Sequence, residues 1–185
     1  MGLTGQRIVL SVGKFANGDG YRKGFDILMK AAKLMREPCE VYIVGEKPTA
    51  EFTKLANDLK LINVHFVGYR DREILRQFYR AADVFCLPTR EDIWGLVINE
   101  AMAAGLPIVT TDRCVAGIEL IDSDACGYIL PTENEEKLAQ SLDLILQCAE
   151  WSRVQMGRIS LERIRGFTIE HMAEEHMNAF EKCGW

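Results

Sequence analysis

The chain has 185 residues, of which 48% are hydrophobic, 26% charged and 9% aromatic; at ~150 residues per domain this is one globular domain, long enough to bury roughly 70% of its unfolded surface. Its 27 acidic and 22 basic side chains leave a formal charge of −5, which speaks against general nucleic-acid binding and requires any anionic ligand to be held by a local cluster of basic groups. No apolar run approaches the ~18 residues of a membrane span and the N-terminus lacks a signal peptide's apolar stretch, so a cytoplasmic chain is expected.

In chain order, RIVLSVG (7–13) is a buried-strand run ending in glycine, followed by a helix with Leu28, Ala31, Ala32 and Met35 on one face. VYIVG (41–45) repeats the strand, and TAEFTKLANDLK places Phe52, Leu55, Ala56 and Leu59 on a stripe. NVHFVG (63–68) is a third strand, and the segment from Asp71 to Ala82 aligns Ile74, Leu75, Phe78 and Ala82. DVFCLP (83–88), PIVTT (107–111) and GYIL (127–130) are three further strands. Thr132 with Glu135 has the spacing of a capping box before the Leu138, Leu142, Ile145 face. A seam is expected over Glu150–Gly166, after which FTIEHMAEEHMNAF forms an amphipathic helix opened by Thr168.

Short apolar strands alternating with helices imply an α/β fold, a Rossmann-like three-layer domain with a parallel sheet of about six strands. The expected division is a domain over 1–150 and a helical segment over 151–185. In such sheets ligands bind beyond the carboxyl ends of the strands, where the strand order reverses.

Several chemistries fall away. The six cysteines (39, 86, 114, 126, 148 and 183) contain no CxxC, and His171 and His176 are five apart rather than four, so no metal site is expected. The cysteines read as reduced, mostly buried thiols. Gly18 and Gly20 start a dinucleotide fingerprint, but Lys23 occupies the third glycine position, and no GxxxxGK[ST] exists. Asp122-Ser123-Asp124 reads as a solvated turn.

The informative stretch is TREDIWGLVINEAMAAGLPIVTTD (89–112). A strand ends at Pro88 and a helix begins near Trp94 or Gly95, which leaves the amides of Gly95, Leu96 and Val97 free at a helix N-terminus, a site for anionic oxygens or sugar hydroxyls. Asp92 lies just before the first turn. Glu100 lies inside the helix among small and apolar residues, where it should face inward and need hydrogen-bond donors.

Together with SVGKF, YRKGFDILMKAAKLM and VHFVGYRDREILRQFYRAADVFCLPTRED, this segment resembles the C-terminal, donor-binding domain of the group 1 (family 4) retaining glycosyltransferases, one half of a two-Rossmann-domain GT-B fold. The resemblance implies that the family's paired acids fall on Asp92 and Glu100, with Asp92 shorter than the usual Glu. Glu100 would accept from the ribose hydroxyls and Asp92 from a hydroxyl of the donor sugar. The amides of Gly95, Leu96 and Val97, preceded by Ile93 and Trp94, would meet the sugar and the diphosphate. The family's basic pair falls on Lys14, where Arg is usual, and Lys23, with Gly13 at the strand end beside them. Gly68, Tyr69 and Arg70 match the place where backbone contacts the base.

Lys23, Asp92 and Glu100 are thus the residues implied for catalysis. No cofactor or metal is implied: the nucleotide diphosphate sugar is a substrate, with uridine diphosphate sugars as the default. The resemblance further implies an absent N-terminal domain that carries the acceptor site and any peripheral membrane association. The opening MGLTGQR resembles the linker before the C-terminal domain, and the last helix the segment that crosses back onto the partner domain. A complete protein would act in polysaccharide biosynthesis or a similar transfer, the isolated domain having little or no activity; a non-catalytic nucleotide-sugar or phosphate binding module is the alternative.

Overall fold

The computed structural model describes residues 6–183. The opening MGLTG, read above as part of a linker, lies outside the described residues. The strands β1 (Arg7–Gly13), β2 (Cys39–Gly45), β3 (Val64–Gly68), β4 (Val84–Leu87), β5 (Ile108–Thr111) and β6 (Gly127–Leu130) form one sheet in the order β3-β2-β1-β4-β5-β6. Every pairing in it is parallel. All residues of β4 and β5 are buried, because helices cover both faces and leave no position for a polar alternation. The strand order reverses between β1 and β4, and this places the switch-point crevice beyond Gly13 and Leu87.

The helices are α1 (Asp19–Arg22), α2 (Phe25–Leu34), α3 (Ala50–Asp58), α4 (Arg72–Ala81), α5 (Leu96–Ala103), α6 (Val115–Leu120), α7 (Glu135–Gln147), α8 (Glu150–Ile164) and α9 (Ile169–Lys182). Phe25 and Leu28 of α2, Phe52 of α3 and Leu142 of α7 pack with Val9 and Val41 into one core. Phe78 of α4, Ile98 and Met102 of α5 and Ala116 of α6 pack with Leu10 and Phe85 into the other. Two apolar layers on one sheet give the expected three-layer α/β domain. Cys39, Cys86, Cys114 and Cys126 are buried and every cysteine is free. Burial pushes the thiol of Cys39 up to about 12, with Asp143 adding to the effect, so this group is an inert filler of the core.

Two local expectations are corrected. The capping box at Thr132 does not form: Asn134 caps α7 by accepting from the amide of Lys137 at 2.8 Å. Glu133 intervenes with φ 58° and turns the chain, so that the Thr132 hydroxyl is buried without a partner. The stretch read as a seam is mostly α8, which packs on α5. Its Ser160 hydroxyl donates to the Leu106 carbonyl at 2.8 Å, and its buried Arg153 pairs with Asp83 at 3.3 Å. The packing changes only beyond α8. Helix α9, opened by Thr168 accepting from the His171 amide at 3.1 Å, buries none of its residues and exposes Ile169, Met172, Met177 and Phe180.

Candidate active site

Three connections meet at the carboxyl edge of the sheet. The chain leaves β1 at Gly13, passes the exposed Lys14 and anchors at the buried Phe15. The Glu46 carboxylate beyond β2 accepts from the amides of Phe15 and Ala16 at 3.3 and 3.1 Å. What reads as a loop between Lys14 and Lys23 is a 3-10 turn followed by the single turn of α1, with Lys23 as its C-terminal cap. Gly24 follows at φ +72°, and a Cβ there would stand 1.8 Å from the Pro88 carbonyl oxygen. Only glycine permits that approach, which presses the Lys23 turn against the end of β4. The Arg22 carbonyl completes the join, accepting from the Thr89 hydroxyl at 2.8 Å and the Arg90 amide at 2.7 Å.

This join brings the Lys23 ammonium onto the Asp92 carboxylate as an ion pair whose side chains are only 19% and 12% exposed. The backbone of Asp92 donates to Arg113 at 3.0 Å and accepts from Val115 at 3.3 Å, while the Trp94 carbonyl accepts from Ala116 at 2.8 Å. The loop is therefore stitched to the start of α6. Gly95 closes it at φ +92°, where a Cβ would meet the Cys114 sulfur at 2.8 Å. No side chain caps α5, which begins at Leu96. Its first amides lack intrahelical partners and carry the positive end of the helix dipole.

Glu100 sits in the second turn of α5. It is exposed, not turned inward as its apolar neighbours suggested. Ile98, Ala101 and Met102 define the buried side of α5, and at ~100° per residue position 100 points away from them. It does find a donor, the Tyr79 hydroxyl of α4 at 2.8 Å. Burial, followed by the charge of Glu100 and the hydrogen bond to it, raises the Tyr79 pKa, so the phenol stays protonated and donates throughout the neutral range. Between α4 and α5 runs a groove of about 730 Å³ lined by Tyr69, Arg70, Leu75, Tyr79 and Glu100, among others. Gly68 ends β3 at φ +74°, and the following Tyr69 is 78% exposed.

The residues named from sequence thus gather in two groups along α5, one at its start and one along its second half. Lys23, Asp92 and Gly95 form one, with Gly13 close enough that its Cβ would lie 3.4 Å from the Lys23 side chain. Tyr69, Arg70 and Glu100 form the other, in the groove between α4 and α5. Ile93 and Leu96 are exposed and Val97 is half-buried. Trp94 belongs to neither: its indole donates to Asn99 at 2.9 Å and packs beside Phe167. Among the described residues no cluster of three or more His, Cys, Asp or Glu side chains could hold a metal ion. No helix among them is long and apolar enough to cross a membrane.

A profile of the family "Glycosyl transferases group 1" matches residues 6–148. The chain belongs to this family. The phosphatidyl-myo-inositol mannosyltransferase of Mycolicibacterium smegmatis is 32% identical over 179 residues, covering 95% of this chain and 45% of the mannosyltransferase. Sucrose-phosphate synthase of Thermosynechococcus elongatus superposes with a TM-score of 0.85 at 26% identity, covering 99% of this chain and 46% of the synthase. HepE of Anabaena, solved with UDP and glucose, shares the fold with a TM-score of 0.82 at 20% identity, covering 96% of this chain and 50% of HepE. This glycosyltransferase domain therefore spans about half the length of the relatives it matches. Tyr79 and Arg90, which shape its site, were not singled out from sequence.

Proposed function

We propose that this domain binds the nucleotide diphosphate sugar of a retaining glycosyltransferase, which moves the sugar to a hydroxyl of a glycan or similar acceptor. The observation that carries the reading is that the connections after β1 and β4 bring an ion-paired lysine beside an uncapped helix N-terminus at the switch point of the sheet, while the second half of the same helix carries Glu100 into a groove. Glu100, oriented by Tyr79, accepts from the ribose hydroxyls, and the base lies along Gly68–Arg70. Lys23 and the amides of Gly95, Leu96 and Val97 hold the diphosphate. Asp92 accepts from a hydroxyl of the sugar. Lys14 and Ile93 stand at the rim.

Breaking the bond from the anomeric carbon to the β-phosphate oxygen leaves negative charge on the diphosphate, and a fixed ammonium with a helix dipole stabilises it as it develops. In the retaining course proposed for the complete enzyme, the acceptor oxygen bonds to that carbon on the face the phosphate leaves. A β-phosphate oxygen takes the hydroxyl proton. A second domain supplies the acceptor site, α9 packs against it, and this domain alone has little or no turnover.

Calorimetry with UDP, GDP, ADP and their sugar conjugates tests the reading, UDP first because HepE holds it. Charge-assisted hydrogen bonds of about 1.5–3 kcal/mol each predict micromolar binding of at least one compound and a loss of about tenfold or more in Glu100→Ala. Absence of binding, or a Glu100→Ala variant that binds as the wild type does, would contradict it.

A further inference from the structure

Two residues before Asp92 stands a side chain with no place in the donor contacts just described. The Arg90 guanidinium donates to both carboxylate oxygens of Asp26 at 2.7 and 2.9 Å. It donates to both oxygens of Glu133, one of them at 2.9 Å, and to the Tyr21 carbonyl at 2.5 Å. These bonds engage all five N–H donors that a guanidinium has.

Arg90 and its partners lie in three separate parts of the chain. Tyr21 and Asp26 bracket Lys23, Arg90 lies in the loop that carries Asp92, and Glu133 follows β6. Asp26 is only 5% exposed, so its charge depends on a fixed partner. Glu133 is held at φ 58°, a left-handed conformation costly for a residue with a side chain and kept only where its surroundings enforce it.

We infer that Arg90 is the positioning residue of the site: it locks the Lys23 turn to the Asp92 loop and so sets where the ammonium meets a diphosphate. The inference rests on the donor-site reading above. Lysine cannot replace Arg90, because an ammonium has three donors and no planar fork for a carboxylate.

The test uses the nucleoside diphosphate that wild type binds most tightly among UDP, GDP and ADP, with its parent nucleoside as control. Arg90→Gln is expected to weaken the diphosphate about tenfold and to leave the nucleoside within about twofold, as the Glu100 groove lies outside the lock; Arg90→Lys should lose nearly as much as Arg90→Gln. In a Lys23→Ala background the same change should cost almost nothing, because a residue acting through Lys23 has nothing left to position. Equal losses on nucleoside and diphosphate, or an undiminished loss without Lys23, would overturn the inference and make Arg90 a plain structural tie. Should Arg90→Gln not fold, Glu133→Ala keeps the buried Asp26 paired. It should show about a threefold loss with the same selectivity, and no loss would overturn the inference equally. A wild type that binds no nucleotide speaks against the donor site itself, whereas a binding wild type with unselective variants speaks against Arg90 alone.

Discussion

Asp92 and Lys23 neutralise each other where the proposed function puts the diphosphate, and this gives substitutions at the pair opposite signs. Removing the ammonium takes away attraction for a diphosphate, whereas removing the carboxylate takes away repulsion. Asp92→Asn is therefore expected to bind a bare nucleoside diphosphate about threefold or more tightly, while the sugar conjugate gains less because a hydroxyl acceptor has been weakened. Competition calorimetry with the two compounds reads this directly, and equal weakening of both would show that Asp92 serves only to hold Lys23 in place. Both residues were legible through the resemblance to the group 1 glycosyltransferases, whose paired acids and KG pair fall on them. Tyr79 was not, since a tyrosine within FYRAADVFC has the periodicity of core and only the partner on α5 reveals what its hydroxyl does. The inward placement expected for Glu100 failed because the apolar residues around it occupy one side of α5 and leave position 100 on the other.

At the scale of elements, strand and helix positions followed the hydrophobic period closely, because β1, β4 and β5 are buried on both faces and helices such as α2 and α7 bury one apolar side against the sheet. Ends were harder to read. Thr132 and Asn134 are both good capping residues, and the choice between them depends on the turn at Glu133, which no periodic pattern encodes. Asn134→Ala is expected to cost about 1 kcal/mol in denaturant unfolding, the worth of a typical N-cap. Thr132→Val, which removes a buried hydroxyl without a partner, should be neutral or slightly stabilising. The reverse order would restore the capping box. The loop between Pro88 and Leu96 shows the same lesson at the site: a polar loop was evident, but its ties to the Lys23 turn and to α6 join residues far apart in sequence.

For the whole molecule, alternating elements announced a parallel sheet but not its strand order. That order puts β1 beside β4 and so lets Lys23, which follows β1, meet Asp92, which follows β4. The boundary of the packed body was also misjudged. Helix α8 has little apolar periodicity of its own and is held by a buried arginine and a serine-to-carbonyl bond, whereas α9 shows a clear apolar face that nothing among the described residues covers.

In the proposed function, the two residue groups beside α5 are the two ends of one ligand site. Hydrogen-exchange mass spectrometry of the chain, with and without its tightest-binding nucleoside diphosphate, tests this most directly. Protection is predicted to appear together, over one titration, at the Lys23 turn, at the start of α5 and in the Gly68–Arg70 segment. Protection of one group without the other, or centred on the groove at Leu34, Arg36 and Asp143 on a different side of the fold, would contradict it.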